Sequence, residues 1–391
     1  MITNNKNIKT LLVGGAVRDL LLGKKPHDFD FLIARGTADE FISEFPAAHP
    51  VGKSYEIFFM KGFEFSLPRL RGKTTGETID LDLCSRDFTV NSFAIDEDGE
   101  LYCHPDALED ITNKTLRLCF AQSFKEDPLR VFRVATFLAR FPDFTPNADL
   151  LLKMREASSQ GWLAGIAPDR IGVELRKALA ASQPGNFIRI LSETDCLEPW
   201  FSEFSNSDEI PAGPSPFHDK TVLGHTAEMM DKVAGDSITC WMAMCHDLGK
   251  TLTAKNKLPS HHGHDKSGIA PALKLGRRLL LPTKFIQAGE IAAKLHMKAG
   301  NYMELRPATK VDLLMKLHVN GLLENMISLT HADRGEDVMK SATSELAEIL
   351  KVSLPVEDRN LGPKSGEKLR SLRSLRLKSF RRGNNWQNLL K

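Results

Sequence analysis

Residues Val13 to Phe31 read VGGAVRDLLLGKKPHDFDF, and the rest of the chain organises around them. Leu11, Leu12 and Val13 predict a short buried strand, followed at once by Gly14 and Gly15. Glycine accepts positive φ and lets backbone N–H groups approach an anion closely. Arg18 and Asp19 then open a helical run whose N-terminus points at that anion. Asp28 and Asp30 fall on one side of an extended strand, because strand side chains alternate. Two carboxylates on one strand face suit a hard cation such as Mg²⁺, which bridges phosphates and activates a hydroxyl. Either element alone reads equally as a surface hairpin with solvated acids. Together in one strand–helix–strand unit they predict a phosphate loop with a metal site.

A chain of 391 residues is too long for one ordinary core and predicts two or three domains. Its 42% hydrophobic and 26% charged content is that of a soluble globular protein. No apolar run reaches about 18 residues, and the opening MITNNKNIKT lacks the apolar core of a signal peptide, so a cytoplasmic protein without membrane contact is expected. The six cysteines show no CxxC pair and read as small hydrophobes in a reducing compartment. The net charge is only +2, but Lys364 to Lys391 holds nine lysines and arginines against Glu367 alone. That basic tail suits either phosphate contact or the solvated face of an amphipathic helix.

From residue 11 to about 125, short apolar runs (LLVGG, FDFLIA, YEIFFMKGFEFSL, TIDLDLC, NSFAID) alternate with turns, the pattern of a small α/β unit. From Asp127 the apolar residues recur at helical spacing, as in Leu129, Phe132, Ala135 and Leu138. Phe204 to Phe217, rich in Pro, Ser and Gly, reads as a linker. The expected organisation is an α/β head over 1–125, a helical neck and body over 126–203, a linker over 204–217, a second helical domain over 218–352 and the basic tail over 353–391.

Two further blocks carry chemistry. In DLDLCSRDFTVN the pattern places Asp80 and Asp82 on one strand face, and Arg86, Asp87 and Asn91 supply the cation, carboxylate and amide that a nucleotide's phosphate and ribose require. In EDPLR, Pro128 fits a first helical turn, which makes Asp127 an N-cap and puts Arg130 on the same face. An Asp and an Arg side by side match the hydrogen-bonding edge of a base. They also make an ordinary cap and salt bridge.

The ordered set GGAVRD, DFD, RDFTVN, EDPLRVFRVA and PDRIGVEL (Pro168 to Leu175) resembles the class II tRNA nucleotidyltransferases, the bacterial CCA-adding enzymes and their poly(A) polymerase relatives. The resemblance implies an α/β nucleotidyltransferase head followed by an all-α neck, body and further helical domain. It implies that Asp28 and Asp30 hold catalytic Mg²⁺ and that Gly14, Gly15, Arg18 and Asp19 shape the phosphate loop. Arg86, Asp87 and Asn91 would bind triphosphate and ribose. Asp127 and Arg130 would act as the template for CTP or ATP, Arg133 would add a contact, and Asp169, Arg170 and Glu174 would brace the template helix, with Arg170 at the nucleotide. The reaction implied is attack of a tRNA 3′-hydroxyl on the nucleotide's α-phosphate, with no protein nucleophile.

The chain departs from the family at three points. Ser85 stands where the family carries the first arginine of RRDFT; His104-Pro105-Asp106-Ala107 lacks a glycine; and only Leu70 to Thr78 separate Arg69 from the next predicted strand. A shortened connection there marks members that add only the two cytidines, so CC addition is expected, with CCA addition close behind.

Further on, GHTAEMM with His225, CHDLGK with His246 and Asp247, HHGH with His262 and His264, His296, and HADRG with Asp333 resemble the HD metallohydrolases. His225, His246, Asp247 and Asp333 would hold one divalent transition metal, and His262 or His264 with His296 a second. The resemblance implies hydrolysis of phosphomonoesters and 2′,3′-cyclic phosphates; a degenerate domain that supports tRNA is the alternative. The rival readings of the whole chain are a poly(A) polymerase acting on general RNA ends and an HD phosphohydrolase with a nucleotide-sensing head. No obligate protein partner is evident.

Overall fold

The computed structural model describes residues 7–26, 28–51, 57–215 and 220–389, with the backbone alone from 382 onward. The chain divides into two compact units, residues 1–131 with 143–163, and residues 132–142 with 164–391.

The first unit is built on a seven-stranded sheet of β1 (Lys9–Val13), β2 (Asp30–Arg35), β3 (His49–Val51), β4 (Ile57–Met60), β5 (Phe63–Ser66), β6 (Phe93–Ile95) and β7 (Leu101–Cys103), in the order β3-β4-β5-β2-β1-β6-β7. The β2–β5 pair is parallel and the others are antiparallel. Around it lie α1 (Gly15–Leu21), α2 (Ala38–Glu44), α3 (Thr75–Cys84), α4 (Ala107–Asn113), α5 (Ser123–Glu126), the start of α6 (Arg130–Arg140), and α7 (Ala148–Ser159). A short parallel pair joins β8 (Thr115–Leu116) to β9 (Thr145–Pro146).

Both faces of β2 are buried, which is why its sequence runs apolar without alternation. Leu32 and Ala34 pack with Leu11, Val13, Ile79 and Leu83, whereas Ile33 packs with Phe41, Phe58 and Phe65. Removing the Phe41 side chain from water contributes roughly 1.5–3 kcal/mol.

TIDLDLC, expected to be a strand, is the helix α3. The Thr74 side chain accepts from the Glu77 N–H and caps it, and Ile79 and Leu83, four residues apart, turn one face into the core. Asp80 and Asp82 therefore do not share a face: Asp82 is buried and Asp80 is exposed. The turn at His104 forms without its glycine, since the Asp106 N–H donates to His104 Nδ1 and α4 begins at Ala107.

The second unit, after α6, consists of α8 (Pro168–Leu179), α9 (Gly185–Glu193), α10 (Val222–Lys232), α11 (Ser237–Cys245), α12 (His264–Ser267), α13 (Ile269–Arg278), α14 (Thr283–Gly300), α15 (Pro307–Val319), α16 (Leu323–Arg334), α17 (Ala342–Leu350) and α18 (Pro363–Leu389). Side-chain oxygens of Thr221 and Asp236 cap α10 and α11, and Pro307 fits the first turn of α15. All but the first residue of α11 is buried, and Trp241 within it donates its indole N–H to the Phe285 carbonyl.

No domain boundary falls over 204–215. Phe204 and Ser207 are fully buried, the Leu223 N–H donates to the Ser207 carbonyl, and the Val222 N–H donates to the Ile210 carbonyl. The stretch expected to be a linker is thus a packed turn that delivers the chain into α10. Residues 216–219, where the expected linker gives way to the next domain, lie outside the described residues.

The basic tail is α18, and it rests on α15 and α17. Arg370 pairs with Asp312, Arg376 with Glu348 and Arg381 with Glu345, while Leu377 is fully buried. Lys391 lies outside the described residues.

Candidate functional site

In the first unit the chain turns out of β1 through Gly14, whose φ of +75° favours glycine. A Cβ there would stand 3.0 Å from Arg86 Nη1, so the loop lies directly against that guanidinium. Arg18 is buried, donates Nη1–H to Asn91 Oδ1 and holds Asp19 Oδ1 through Nε and Nη2 at 3.0 and 2.7 Å. Asn91 in turn donates Nδ2–H to Asp87 Oδ1, which also accepts the Phe88 N–H. Arg86 is held by Asp82 Oδ2 through Nε and Nη2 at 3.2 and 3.0 Å. The structure thus joins the predicted Arg18, Asp19, Asn91 and Asp87 by hydrogen bonds, and sets Arg86, held by Asp82, against the Gly14 turn.

The acids lie beside it. Asp30 opens β2, and Asp28 precedes the strand rather than sharing it. Burial raises the Asp30 pKa, with Arg86 opposing and Asp28 adding. Glu64 on β5 stands in register with Asp30 across the parallel pair, and burial followed by the Asp30 charge raises its pKa too. Sequence reasoning missed Glu64; its signal was a lone charge inside the apolar FFMKGFEFSL. Acids that raise one another's pKa are relieved by a cation. Among the described residues, the sets of three or more His, Cys, Asp and Glu whose ligand atoms lie within 4.8 Å of one another fall elsewhere. An open set of carboxylates suits Mg²⁺, which binds through one or two of them plus substrate phosphates rather than in an all-protein cage.

Asp127 is extended, as residues before proline are, and ends α5; Pro128 lies in the turn ahead of α6. Asp127 caps the turn that leads into α6 as expected: its Oδ1 accepts the Leu129 N–H and its carbonyl the Arg130 N–H. Arg130 is buried over the Phe120 ring and donates Nη1–H to Ser123 Oγ and Nη2–H to the Ser85 carbonyl. Burial lowers its pKa, Asp87 opposes that, and Arg69 adds to it.

Arg133 lies on α6, and Asp169, Arg170 and Glu174 lie on α8, all in the second unit. Thr136 Oγ1 on α6 donates to the Glu174 carbonyl, which ties the two helices together.

The second unit carries a compact cluster of candidate metal ligands. His225, His246 and Asp247 form one group, and Asp247, His264 and His296 another, each with ligand atoms within 4.8 Å. The imidazoles are oriented from behind: Nδ1 of His246 bonds the Ala243 carbonyl, that of His264 the His261 carbonyl, and that of His296 the carbonyls of Ala292 and Ala293. This backing fixes the tautomer and leaves Nε2 as the ligand atom. Nε2 of His225 and His246 lie 3.3 Å apart, and those of His264 and His296 3.0 Å. Asp247 turns Oδ2 toward His246 at 3.2 Å and Oδ1 toward His264 at 3.2 Å, and Asp333 Oδ1 lies 3.4 Å from His225 Nε2. Burial would raise the Asp247 pKa, yet His246, His264 and His296 outweigh it and hold the carboxyl well below the usual range. These donors fit divalent transition metals, which His225, His246 and Asp247, and Asp247, His264 and His296, would hold. His264 rather than the exposed His262 faces the site. Lys250, quoted in CHDLGK without a role, places Nζ 2.7 Å from Asp247 Oδ2.

Sheet, phosphate loop and acids define a polymerase-type nucleotidyltransferase head. Residues 10–117 match the Poly A polymerase head domain, and residues 143–207 match the probable RNA and SrmB-binding site of polymerase A. The multifunctional CCA protein of Xanthomonas euvesicatoria is 33% identical over 96% of this chain and 99% of its own length. That of Stenotrophomonas maltophilia is 35% identical over 78% of this chain and 80% of its own. The chain belongs to the multifunctional CCA protein family. A solved CCA-adding enzyme in its apo form shares the fold, with a TM-score of 0.65 and 21% identity over 95% of this chain and 87% of that one.

Among the described residues no helix is long and apolar enough to cross a membrane.

Proposed function

We propose that this chain is a tRNA 3′-end nucleotidyltransferase that adds cytidines from CTP, and that its second unit is a metal-dependent phosphohydrolase acting on RNA 3′-phosphates. The observation that carries the first reading is the chain Arg18–Asn91–Asp87 together with Arg86, which lies against the Gly14 turn and whose charge, like that of Asp28, is felt at Asp30. Arg18 and Arg86 meet phosphate oxygens, and Asp87 with Asn91 offers acceptor and donor to the ribose hydroxyls. Asp127 and Arg130 read the base edge. Asp28 and Asp30, with Glu64 beside them, would hold Mg²⁺, which when bound would supply activation of the RNA 3′-hydroxyl and charge neutralisation at the departing pyrophosphate.

The connection from β5 to α3 spans only residues 67–74, too little for a long flexible loop, and this favours an enzyme that stops after the two cytidines. The test uses tRNA transcripts ending at the discriminator base and at CC, each offered CTP or ATP, beside an unrelated RNA. Two cytidines added to the first transcript and none of the other additions is the expected result. Efficient ATP addition to the CC-ended transcript overturns the cytidine specialist and leaves CCA addition; tailing of the unrelated RNA points to a poly(A) polymerase; no addition anywhere overturns the reading.

The convergence of four Nε2 atoms around Asp247 supports the hydrolase. When bound, the metals supply a water nucleophile at neutral pH. Loss of 2′,3′-cyclic phosphate hydrolysis in His246→Ala is expected, and full retention overturns the assignment.

A further inference from the structure

Two arginines converge on one backbone oxygen at the head site. Arg130 Nη2 donates to the Ser85 carbonyl at 3.2 Å, and Arg69 Nη1 donates to the same carbonyl at 3.4 Å. Ser85 is the C-cap of α3 and directly precedes Arg86, and its own hydroxyl is turned back onto the Asp82 carbonyl. The position therefore contributes an acceptor to the site and no cation.

The charges around this carbonyl are unevenly balanced. Arg18 is neutralised by Asp19 at 2.7 Å and Arg86 by Asp82 at 3.0 Å. Arg69 and Arg130 have no carboxylate partner among the described residues, and the positive charge of Arg69 is felt at Arg130. Arg130 is buried, with both terminal nitrogens already donating. Arg69 is exposed and uses one of its five guanidinium N–H groups on Ser85. A guanidinium anchored at one corner, with the rest of its fork open and no acid to neutralise it, is a preorganised receptor for an anionic oxygen.

We infer that Arg69 is a triphosphate-binding residue of the head site, anchored by the Ser85 carbonyl and supplying the cation that position 85 lacks. This rests on the nucleotidyltransferase reading above and names a further residue of that site. The exposed Arg69 side chain is removable without opening the core. Losing a charged hydrogen bond to phosphate weakens binding about tenfold to a hundredfold.

The test measures equilibrium binding of CTP and CMP to the full chain, and KM for CTP in tRNA extension, for wild type, Arg69→Ala and the double variant Arg69→Ala/Ser85→Arg. Arg69→Ala is expected to weaken CTP by that factor and CMP far less, with kcat nearly kept. The double variant, which returns a guanidinium from the neighbouring position, is expected to recover most of the CTP affinity. CTP affinity unchanged in Arg69→Ala, or CTP and CMP weakened equally, overturns the assignment while wild-type addition still upholds the enzyme. A wild type that neither binds nor adds CTP overturns both.

Discussion

Asp30 and Glu64 stand opposite each other across β2 and β5, the parallel pair of the described sheet. Neighbouring strands lie about 4.8 Å apart, so two carboxylates in register share one electrostatic environment, and each raises the cost of ionising the other. Glu64→Gln removes one of those charges. It is expected to slow nucleotide addition by about tenfold to a hundredfold and to raise the Mg²⁺ concentration needed for half-maximal rate, read from rates against Mg²⁺. An unchanged Mg²⁺ requirement would leave Glu64 a bystander.

Gly14→Ala meets two penalties at once. Positive φ with ψ of −135° is a region kept almost wholly for glycine and costs a residue with a Cβ about 1–3 kcal/mol, and that Cβ would press on Arg86 Nη1 at 3.0 Å. Thermal melts should show the first penalty and CTP binding the second; a variant with normal CTP affinity would mean that the loop yields without moving the arginine.

The two sites draw on different residues, so their losses should separate. Asp30→Asn is expected to abolish nucleotide addition and spare phosphoester hydrolysis, and Asp247→Asn the reverse. Parallel assays of both variants check this, and loss of both activities in either one would contradict it.

Asp96 accepts from Lys9 Nζ at 3.0 Å and from the N–H groups of Asp98 and Glu100. Burial works against its charge, but the Lys9 and backbone hydrogen bonds outweigh that and lower its pKa. A depressed carboxylate stabilises the fold fully above its unfolded value of about 3.9, and the contribution is lost as pH falls through the folded value. Asp96→Asn should therefore cost about 1–2 kcal/mol at pH 7 and progressively less below pH of about 4. Urea unfolding at several pH values reads this, and a cost independent of pH would exclude the ionic contribution.

Gly249, two residues beyond Asp247, lies against α12. A Cβ there would sit 2.0 Å from the His264 carbonyl oxygen, a contact that forces backbone to shift. Gly249→Ala is expected to destabilise by about 1–3 kcal/mol and to weaken metal binding by displacing His264, measured by metal titration. Intact metal affinity would show that α12 moves without its histidine.

The phosphate loop, the DFD acids and the HD histidines were legible because their chemistry demands particular residue types at short spacing. Glu64 was not, because its meaning depends on a strand register formed between segments far apart in sequence. In α3, Ile79, Leu81 and Leu83 satisfy strand alternation, while Ile79 and Leu83 also satisfy helical spacing. Thr74 with Glu77 three residues on was the cap that decides between them. Composition likewise made 204–217 look like a tether, yet Phe204 and Ser207 are buried. Proline, serine and glycine mark a turn whether or not it is packed. Arg69 escaped notice because its anchor is a carbonyl, a group that every residue carries.

Asp247 presents one oxygen to each histidine pair, while Asp333 adds a carboxylate on the His225 side alone, so the two halves of that centre carry unequal negative charge. The half with two carboxylates would hold a divalent cation more tightly than the half that has only its share of Asp247. Occupancy should then rise in two separated steps with metal concentration, and at scarce metal the centre would rest half-filled.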